Sequence, residues 1–348
     1  MATTLHDVAR LAGVSAKTVS NVVNDYPHIK ASTKERVLQA IAELGYRPNL
    51  SARGLRSGRS GVISLIIPDL RNSYFAELAD AVMHAADQRG LYVLIEQTGG
   101  DREREAALVR GPRTQLVDGL LYSALELGED DVDLLAEVTT PMVLLGERIF
   151  NAPNDHITMQ NTAGARAATE HLIEIGRRRI VAFGAHPGEQ VGSAGLRLVG
   201  YREALEAAGL PYDEALVRAV GVWHRYDGAV AMRAMLDEGE PFDGIVAFND
   251  ALALGAMRVL SERGIRMPEE VAIIGFDDID EGRYSLPSLT TIAPGRDQIA
   301  ETAVDMLLER IDRRGEEFPP RLVLADFQLV RRESTGASTA PPAASVSD

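Results

Sequence analysis

The chain of 348 residues contains no cysteine. That excludes disulfides, thiolate zinc sites, iron–sulfur clusters and cysteine nucleophiles. Long apolar runs are missing too. The stretch Val62-Ile63-Ser64-Leu65-Ile66-Ile67 is far too short to cross a bilayer. The opening residues Met1-Ala2-Thr3-Thr4-Leu5-His6-Asp7 lack the basic and apolar regions of a secretory signal, so a cytoplasmic protein is expected. Seven histidines show neither HExxH nor close-paired spacing, and no metal site or cofactor is expected. Nucleophile-elbow and Walker-type signatures are absent, which argues against an enzyme. Tryptophan occurs once, as Trp223.

What is present suits a globular protein of about two domains with a small extra module. Hydrophobic residues make up 45% and charged residues 25% of the chain. The net charge of −15 is unevenly spread. Residues 1–60 hold nine basic and four acidic side chains, a net of +5, which leaves −20 for the rest. A basic head on an acidic body is expected when only one end meets a polyanion.

The head reads as three helices. Leu5, Val8, Ala9 and Ala12 share one helical face, and Gly13-Val14 interrupts it. Ser15 can cap a second helix to Val23 that turns Val19, Val22 and Val23 inward. A capping box at Ser32-Thr33-Lys34-Glu35 is expected to open a third, with Val37, Leu38, Ile41 and Leu44 as its stripe and Gly45 as its stop. Two short helices around a glycine-containing turn form a helix-turn-helix. Its second helix offers Ala16, Lys17 and Asn21 to base edges. Lysine donates to guanine and asparagine pairs with adenine. Ser15, Thr18, Asn24, His28 and Thr33 carry groups suited to phosphate contacts.

Pro48-Asn49 can start a further short helix, which Gly54 weakens by about 1 kcal/mol relative to alanine. Leu55 has no core to enter. Flanked by Arg53, Arg56 and Arg59, it suits a wedge between base steps in a minor groove. Asn49 and Ala52 share this hinge.

From Val62 onward, apolar runs alternate with helical stretches. Strands are expected at 62–67, 91–96, 119–122, 142–145, 180–183, 244–248 and 271–275. Helices are expected at 75–89, 103–115, 162–175, 196–208, 227–237, 251–263 and 297–313. The alternation implies βαβ units and mainly parallel sheets, arranged as two doubly wound α/β lobes with crossings near residues 160 and 290. Ligands of open α/β sheets sit beyond the carboxyl ends of the strands. The residues there are Asn72, Tyr74, Phe75, Ser123, Ser193, Arg197, Trp223, Asn249 and Asp277. Arginine, asparagine and aspartate offer directional bonds to ring hydroxyls, and aromatic rings cover apolar sugar faces. Asn249 and Asp277 could equally be strand-end caps. An arginine opening a helix opposes the dipole, so a bound partner is expected for Arg197. The acidic run Glu126–Asp133 reads as a solvated loop, and Arg177-Arg178-Arg179 as a helix terminus.

The string from Thr4 to Asn24 resembles the head of lactose-repressor (LacI/GalR) family transcription regulators. So do Leu44-Gly45-Tyr46-Arg47-Pro48-Asn49 and the stretch from Ala52 to Arg59. The likeness continues through Val62 to Asp69, Phe248-Asn249-Asp250, Gly275-Phe276-Asp277-Asp278 and Leu286 to Ile292, in the family's order. It implies a homodimeric repressor on a pseudo-palindromic operator. Paired hinge helices would fold in the minor groove, with Leu55 as the lever. The nine strand-end residues match the family's effector-contacting positions. Periplasmic-binding-protein-type lobes crossed three times by the chain are also implied. Gln160-Asn161 stands where many members carry Asp-Asn, which puts one interdomain contact in question.

The organisation expected is a helix-turn-helix domain at 1–47, a hinge at 48–60 and an effector-binding, dimerising core at 61–333. The N-lobe would take about 61–160 plus 292–325, and the C-lobe about 161–291 plus 326–333. A disordered tail is expected at 334–348, rich in Ser, Thr, Ala and Pro and free of leucine heptads. The function expected is a ligand-responsive, sequence-specific DNA-binding regulator, with operator DNA, a small-molecule effector and a second copy as partners. A repressor of sugar-utilisation genes released by a sugar or glycoside is the leading reading. A purine or nucleoside effector is the alternative, and a free sugar-binding protein is a third. No membrane partner is expected.

Overall fold

The computed structural model describes residues 3–23, 26–46, 59–316 and 319–336. The chain divides into two units, Met1–Gly61 and Val62–Asp348.

In the first unit, helices α1 (Leu5–Ala12), α2 (Ala16–Val23) and α3 (Ala31–Leu44) enclose a small core. Val8, Ala9, Ala12, Val19, Val22, Val37 and Ala40 fill it. Thr4 caps α1 through a capping box with Asp7, and Gly13 ends it at φ 63, where a side chain would be strained. Ser15 Oγ accepts from the Thr18 amide at 3.1 Å and caps α2 as expected. The expected capping box of α3 does not form. That helix begins two residues earlier, at Ala31, and its N-cap Lys30 makes no side-chain capping bond. The stripe shifts accordingly: Ala40 joins Val37, and Leu38 is exposed.

The second unit holds two six-stranded sheets. The first contains β1 (Val62–Ile67), β2 (Tyr92–Gln97), β3 (Gly119–Ser123), β4 (Met142–Leu145), β5 (Asp155–Thr158) and β11 (Leu322–Leu324), in the order β11-β5-β4-β3-β1-β2, all parallel. The second contains β6 (Ile180–Ala185), β7 (Val217–Ala219), β8 (Gly244–Ala247), β9 (Ala272–Phe276), β10 (Thr290–Ala293) and β12 (Gln328–Val330), in the order β12-β10-β9-β8-β6-β7. Only β12 pairs antiparallel there. Near-continuous apolar strands such as VISLII and IVAFGA are what a sheet covered on both faces demands.

The chain crosses between sheets after β5, after β10 and between β11 and β12. Helices α4 (Ser73–Asp87), α5 (Arg102–Arg110) and α6 (Val132–Ala136) belong to the first lobe. Helices α7 (Asn161–Glu174), α8 (Ser193–Ala207), α9 (Arg225–Glu238), α10 (Asp250–Glu262) and α11 (Asp280–Arg283) belong to the second. Helix α12 (Arg296–Asp312) returns to the first, where Leu307 and Ile311 pack against Gly119 so closely that a Cβ there would push the Leu307 side chain aside. The acidic run is not a solvated loop. Asp131 pairs with Arg102, Glu129 accepts from the Phe150 amide at 2.6 Å, and Leu127 is fully buried. Arg178 caps α7 by donating to the Ile173 carbonyl at 2.9 Å. The expected tail also begins too early. Ser334 and Thr335 are buried, with Ser334 Oγ donating to the Ile273 carbonyl at 2.7 Å.

Candidate functional site

The effector candidates fall at strand ends facing the line where the lobes meet. Arg197 is their centre. It lies in the second turn of α8, not at its start, so the dipole argument for a bound partner does not apply. Its guanidinium already has protein partners. Nε donates to Asn161 Oδ1 at 2.7 Å, Nη1 to the Phe248 carbonyl, and Nη2 lies 3.9 Å from Asp277 Oδ1. The guanidinium carbon also sits 3.7 Å from the Phe276 ring centroid and 5.3 Å from that of Trp223. A planar cation stacked on aromatic faces is well placed to be held without water.

Asp277 is buried and takes φ 122, a conformation that side chains rarely adopt. Burial pushes its carboxyl up to about 7, against the opposing pull of Arg197 and Arg296. Strain and a perturbed carboxyl together make it a candidate functional residue. Trp223 is half-buried, donates Nε1 to the Gly184 carbonyl at 3.0 Å and packs beside Phe248. Tyr74 is buried at the start of α4. Burial and the nearby carboxylates of Glu147 and Asp277 raise its phenol. Phe75 meets it edge-on, with centroids 5.3 Å apart.

Other candidates serve the scaffold here. Asn72 caps α4 through the Tyr74 amide. Asn249 caps α10, its Oδ1 accepting from the Leu252 amide at 2.8 Å while Nδ2 donates to the Trp223 carbonyl at 3.3 Å. Ser123 is buried at the end of β3. Ser193 opens α8 and donates to Glu147 Oε2 at 2.7 Å, a bond from one lobe to the other.

Glu147 and Asp250 escaped sequence reasoning. Glu147 is buried just beyond β4, so the strand-end rule would have found it. Asp250 is fully buried, accepts from Thr291 Oγ1 at 2.6 Å and from the Ile279 amide at 3.0 Å, and holds the loop that carries Asp277. Burial raises its carboxyl well above the ordinary value. Asn161 is the third omission. The Gln160-Asn161 departure resolves into two contacts: Gln160 Nε2 reaches the Ala325 carbonyl at 3.0 Å, and Asn161 orients Arg197.

Further bonds join the lobes. Ser73 Oγ donates to Glu281 Oε1 at 2.7 Å, Arg225 approaches both, and the Asp280 amide donates to Glu77 at 2.9 Å. His224 Nε2 lies 3.1 Å from Asp69 Oδ2.

In the head, Lys17 is exposed, while Ala16 and Asn21 are half-buried, with Ala16 packed against the small core. Ser15 and His28 are exposed, and Thr18 and Thr33 are half-buried. Asn24, Asn49, Ala52, Arg53, Leu55 and Arg56 lie outside the described residues. Among the described residues no cluster of three or more metal-ligating side chains occurs, and no helix is long and apolar enough to cross a membrane.

Comparison with known proteins places these features. Residues 4–49 match the model for bacterial regulatory proteins of the lacI family, and residues 169–335 match a periplasmic binding protein-like domain. The chain is 36% identical over 315 residues to the HTH-type transcriptional repressor PurR of Haemophilus influenzae, covering 90% of this chain and 92% of that one. A solved complex of the transcriptional regulator CelR with cellobiose shares 32% identity and a TM-score of 0.69, over 95% of this chain and 99% of that one. The Lac repressor dimer bound to operator and the anti-inducer ONPF shares 30% identity and a TM-score of 0.81, over 97% and 100%. The chain belongs to the lacI family of bacterial regulatory proteins and is a ligand-responsive, DNA-binding transcriptional regulator.

Proposed function

We propose that this regulator is a homodimeric, cytoplasmic repressor of sugar-utilisation genes, without enzymatic activity or a cofactor. Two heads hold a palindromic operator, and a sugar or glycoside bound between the lobes releases it. The observation that carries the reading is the cluster of Arg197, Asp277 and Trp223 at the strand ends. A forked donor, a carboxyl and an aromatic face lie within a few ångströms of one another. That set suits the hydroxyls and apolar face of a pyranose. The cellobiose complex of a relative supports the same effector class. The second lobe also exposes Tyr226, Tyr284 and Leu286, apolar surface of the kind a second copy would cover.

In the head, Ala16, Lys17 and Asn21 would read bases, and Ser15, Thr18, Asn24, His28 and Thr33 would hold phosphates. Asn49, Ala52, Arg53, Leu55 and Arg56 would enter the minor groove at the operator's centre. Asn72, Tyr74, Phe75, Ser123, Ser193 and Asn249 would complete the effector cleft.

A purine effector is the second reading, favoured by the Tyr74–Phe75 pair and by the likeness to the PurR repressor. Cellobiose, other saccharides, sugar phosphates and nucleosides, each titrated against Trp223 emission and thermal unfolding, decide between them. A response to saccharides alone is expected. A response to nucleosides alone would overturn the sugar reading.

A further inference from the structure

The loop between β6 and α8 carries two titratable side chains that no effector role above uses. His186 Nδ1 lies 2.8 Å from Glu189 Oε2. The imidazole stands against Trp223, with ring centroids 5.4 Å apart and planes tilted by 42°. Its Nε2 is shielded from solvent, near the backbone of Val220 and Gly221 but outside good hydrogen-bond geometry. Those residues lead directly into Trp223. The other oxygen of the carboxylate, Glu189 Oε1, accepts from the amides of Ala194 at 3.1 Å and Gly195 at 3.3 Å. These belong to the first turn of α8, which carries Ser193 and Arg197. From the opposite lobe, Arg148 donates Nη1 to the Val191 carbonyl at 3.2 Å and comes within 3.7 Å of Glu189 Oε2.

One partly buried carboxylate therefore ties together the turn that sets Arg197, the ring beside Trp223 and an arginine from across the cleft. We infer that His186 and Glu189 position Trp223 and the start of α8 as one unit, and that this unit releases a proton when Arg148 closes onto it. The inference rests on reading the cleft as the effector site. The carboxylate of Glu189 at Nδ1 favours the imidazolium over the neutral ring. Glu189 accordingly raises His186, and His186 and Arg148 hold Glu189 below its ordinary value despite burial. Nearby charged groups are Arg197 over the Trp223 ring with Asp277 beside it, and His224 with its partner Asp69. The closed cleft holds the proton less tightly, so effector affinity rises with pH through the imidazole's transition.

Trp223 is the sole tryptophan, so its emission reports on this contact. The full-length unliganded protein is titrated between about pH 5.5 and pH 9. Asp277, whose carboxyl stands at about 7, is silenced by Asp277→Asn in every sample, and one transition is then expected, with a midpoint above the value of about 6.5 for a free imidazole. It disappears in His186→Gln and moves down in Glu189→Gln. It moves up in Arg148→Gln, since removal of the competing cation leaves Glu189 wholly to the imidazole. His224→Gln leaves it in place. A transition that survives His186→Gln, vanishes in His224→Gln or ignores Glu189→Gln overturns the assignment. An unchanged midpoint in Arg148→Gln overturns the link to closure. The titration uses no effector, so its failure is distinct from failure of the sugar reading, which the saccharide titrations detect.

Discussion

Asn161 Oδ1 accepts the Nε–H of Arg197 at 2.7 Å, and this bond joins a lobe crossing to the centre of the proposed effector cleft. Asn161 is the first residue of α7, directly after Gln160, whose amide binds the third crossing at Ala325. The pair carries any rearrangement of the crossings straight to the guanidinium. Asn161→Ala strands a buried donor, at a cost of about 1–3 kcal/mol. Chemical denaturation should register that loss. The saccharide response should weaken while operator binding without effector persists.

Asp277 predicts a pH dependence of defined sign. Its carboxyl stands at about 7 in the folded chain, against an ordinary 3.8. Below about pH 4 both states hold the proton and the group is neutral to stability. As pH rises toward 7 the unfolded chain ionises first, so stability falls, and the loss is complete above the folded value. Asp277→Asn removes this loss and tolerates the positive φ. The variant should melt above the parent at about pH 8 and converge with it near pH 4, while its saccharide response is lost.

Gly200 sets how closely α8 approaches α7. A Cβ there would stand 2.1 Å from the Thr162 carbonyl oxygen, a backbone atom that cannot swing aside. Gly200→Ala forces the helices apart, an overpacking cost of about 1–3 kcal/mol. Thermal melts should show it. Arg197 rides on the same helix, so the saccharide dissociation constant should rise as well.

Two substitutions separate reading from gripping. Lys17→Ala should cost about 1–3 kcal/mol of operator affinity and relax preference at one base pair. Leu55→Ala should weaken operator binding by removing the wedge while leaving saccharide binding intact. Equal operator affinity in the Leu55 variant, measured by DNA anisotropy, would discredit the hinge proposal.

The runs at Val62–Ile67 and Ile180–Ala185 were legible because parallel strands buried on both faces are apolar throughout. Strand Asp155–Thr158 was not. Its polar side chains are buried because each has a partner: Asp155 takes Arg310 and Arg321, His156 the Gly146 carbonyl, and Thr158 Glu147. Those arginines hold the Asp155 carboxyl down to about 2. Hydrophobic periodicity does not register such pairing. The three-residue strands at 322–324 and 328–330 are too short to show any period. Strand-end logic picks out the cluster of Arg197, Trp223 and Asp277, and it equally picks out helix caps, a part that Asn72 and Asn249 also play here. The expected cap at Ser32 of α3 lies inside the helix, which starts at Ala31 after Lys30.

The most direct test of the account is operator release. A palindromic duplex selected from a random pool by the full-length protein is labelled, and its anisotropy is followed as cellobiose and other saccharides are added. The account predicts tight, salt-sensitive binding that at least one saccharide reverses, and no reversal in Asp277→Asn. Selection of no palindrome over bulk DNA, or release that proceeds unchanged in Asp277→Asn, would contradict it.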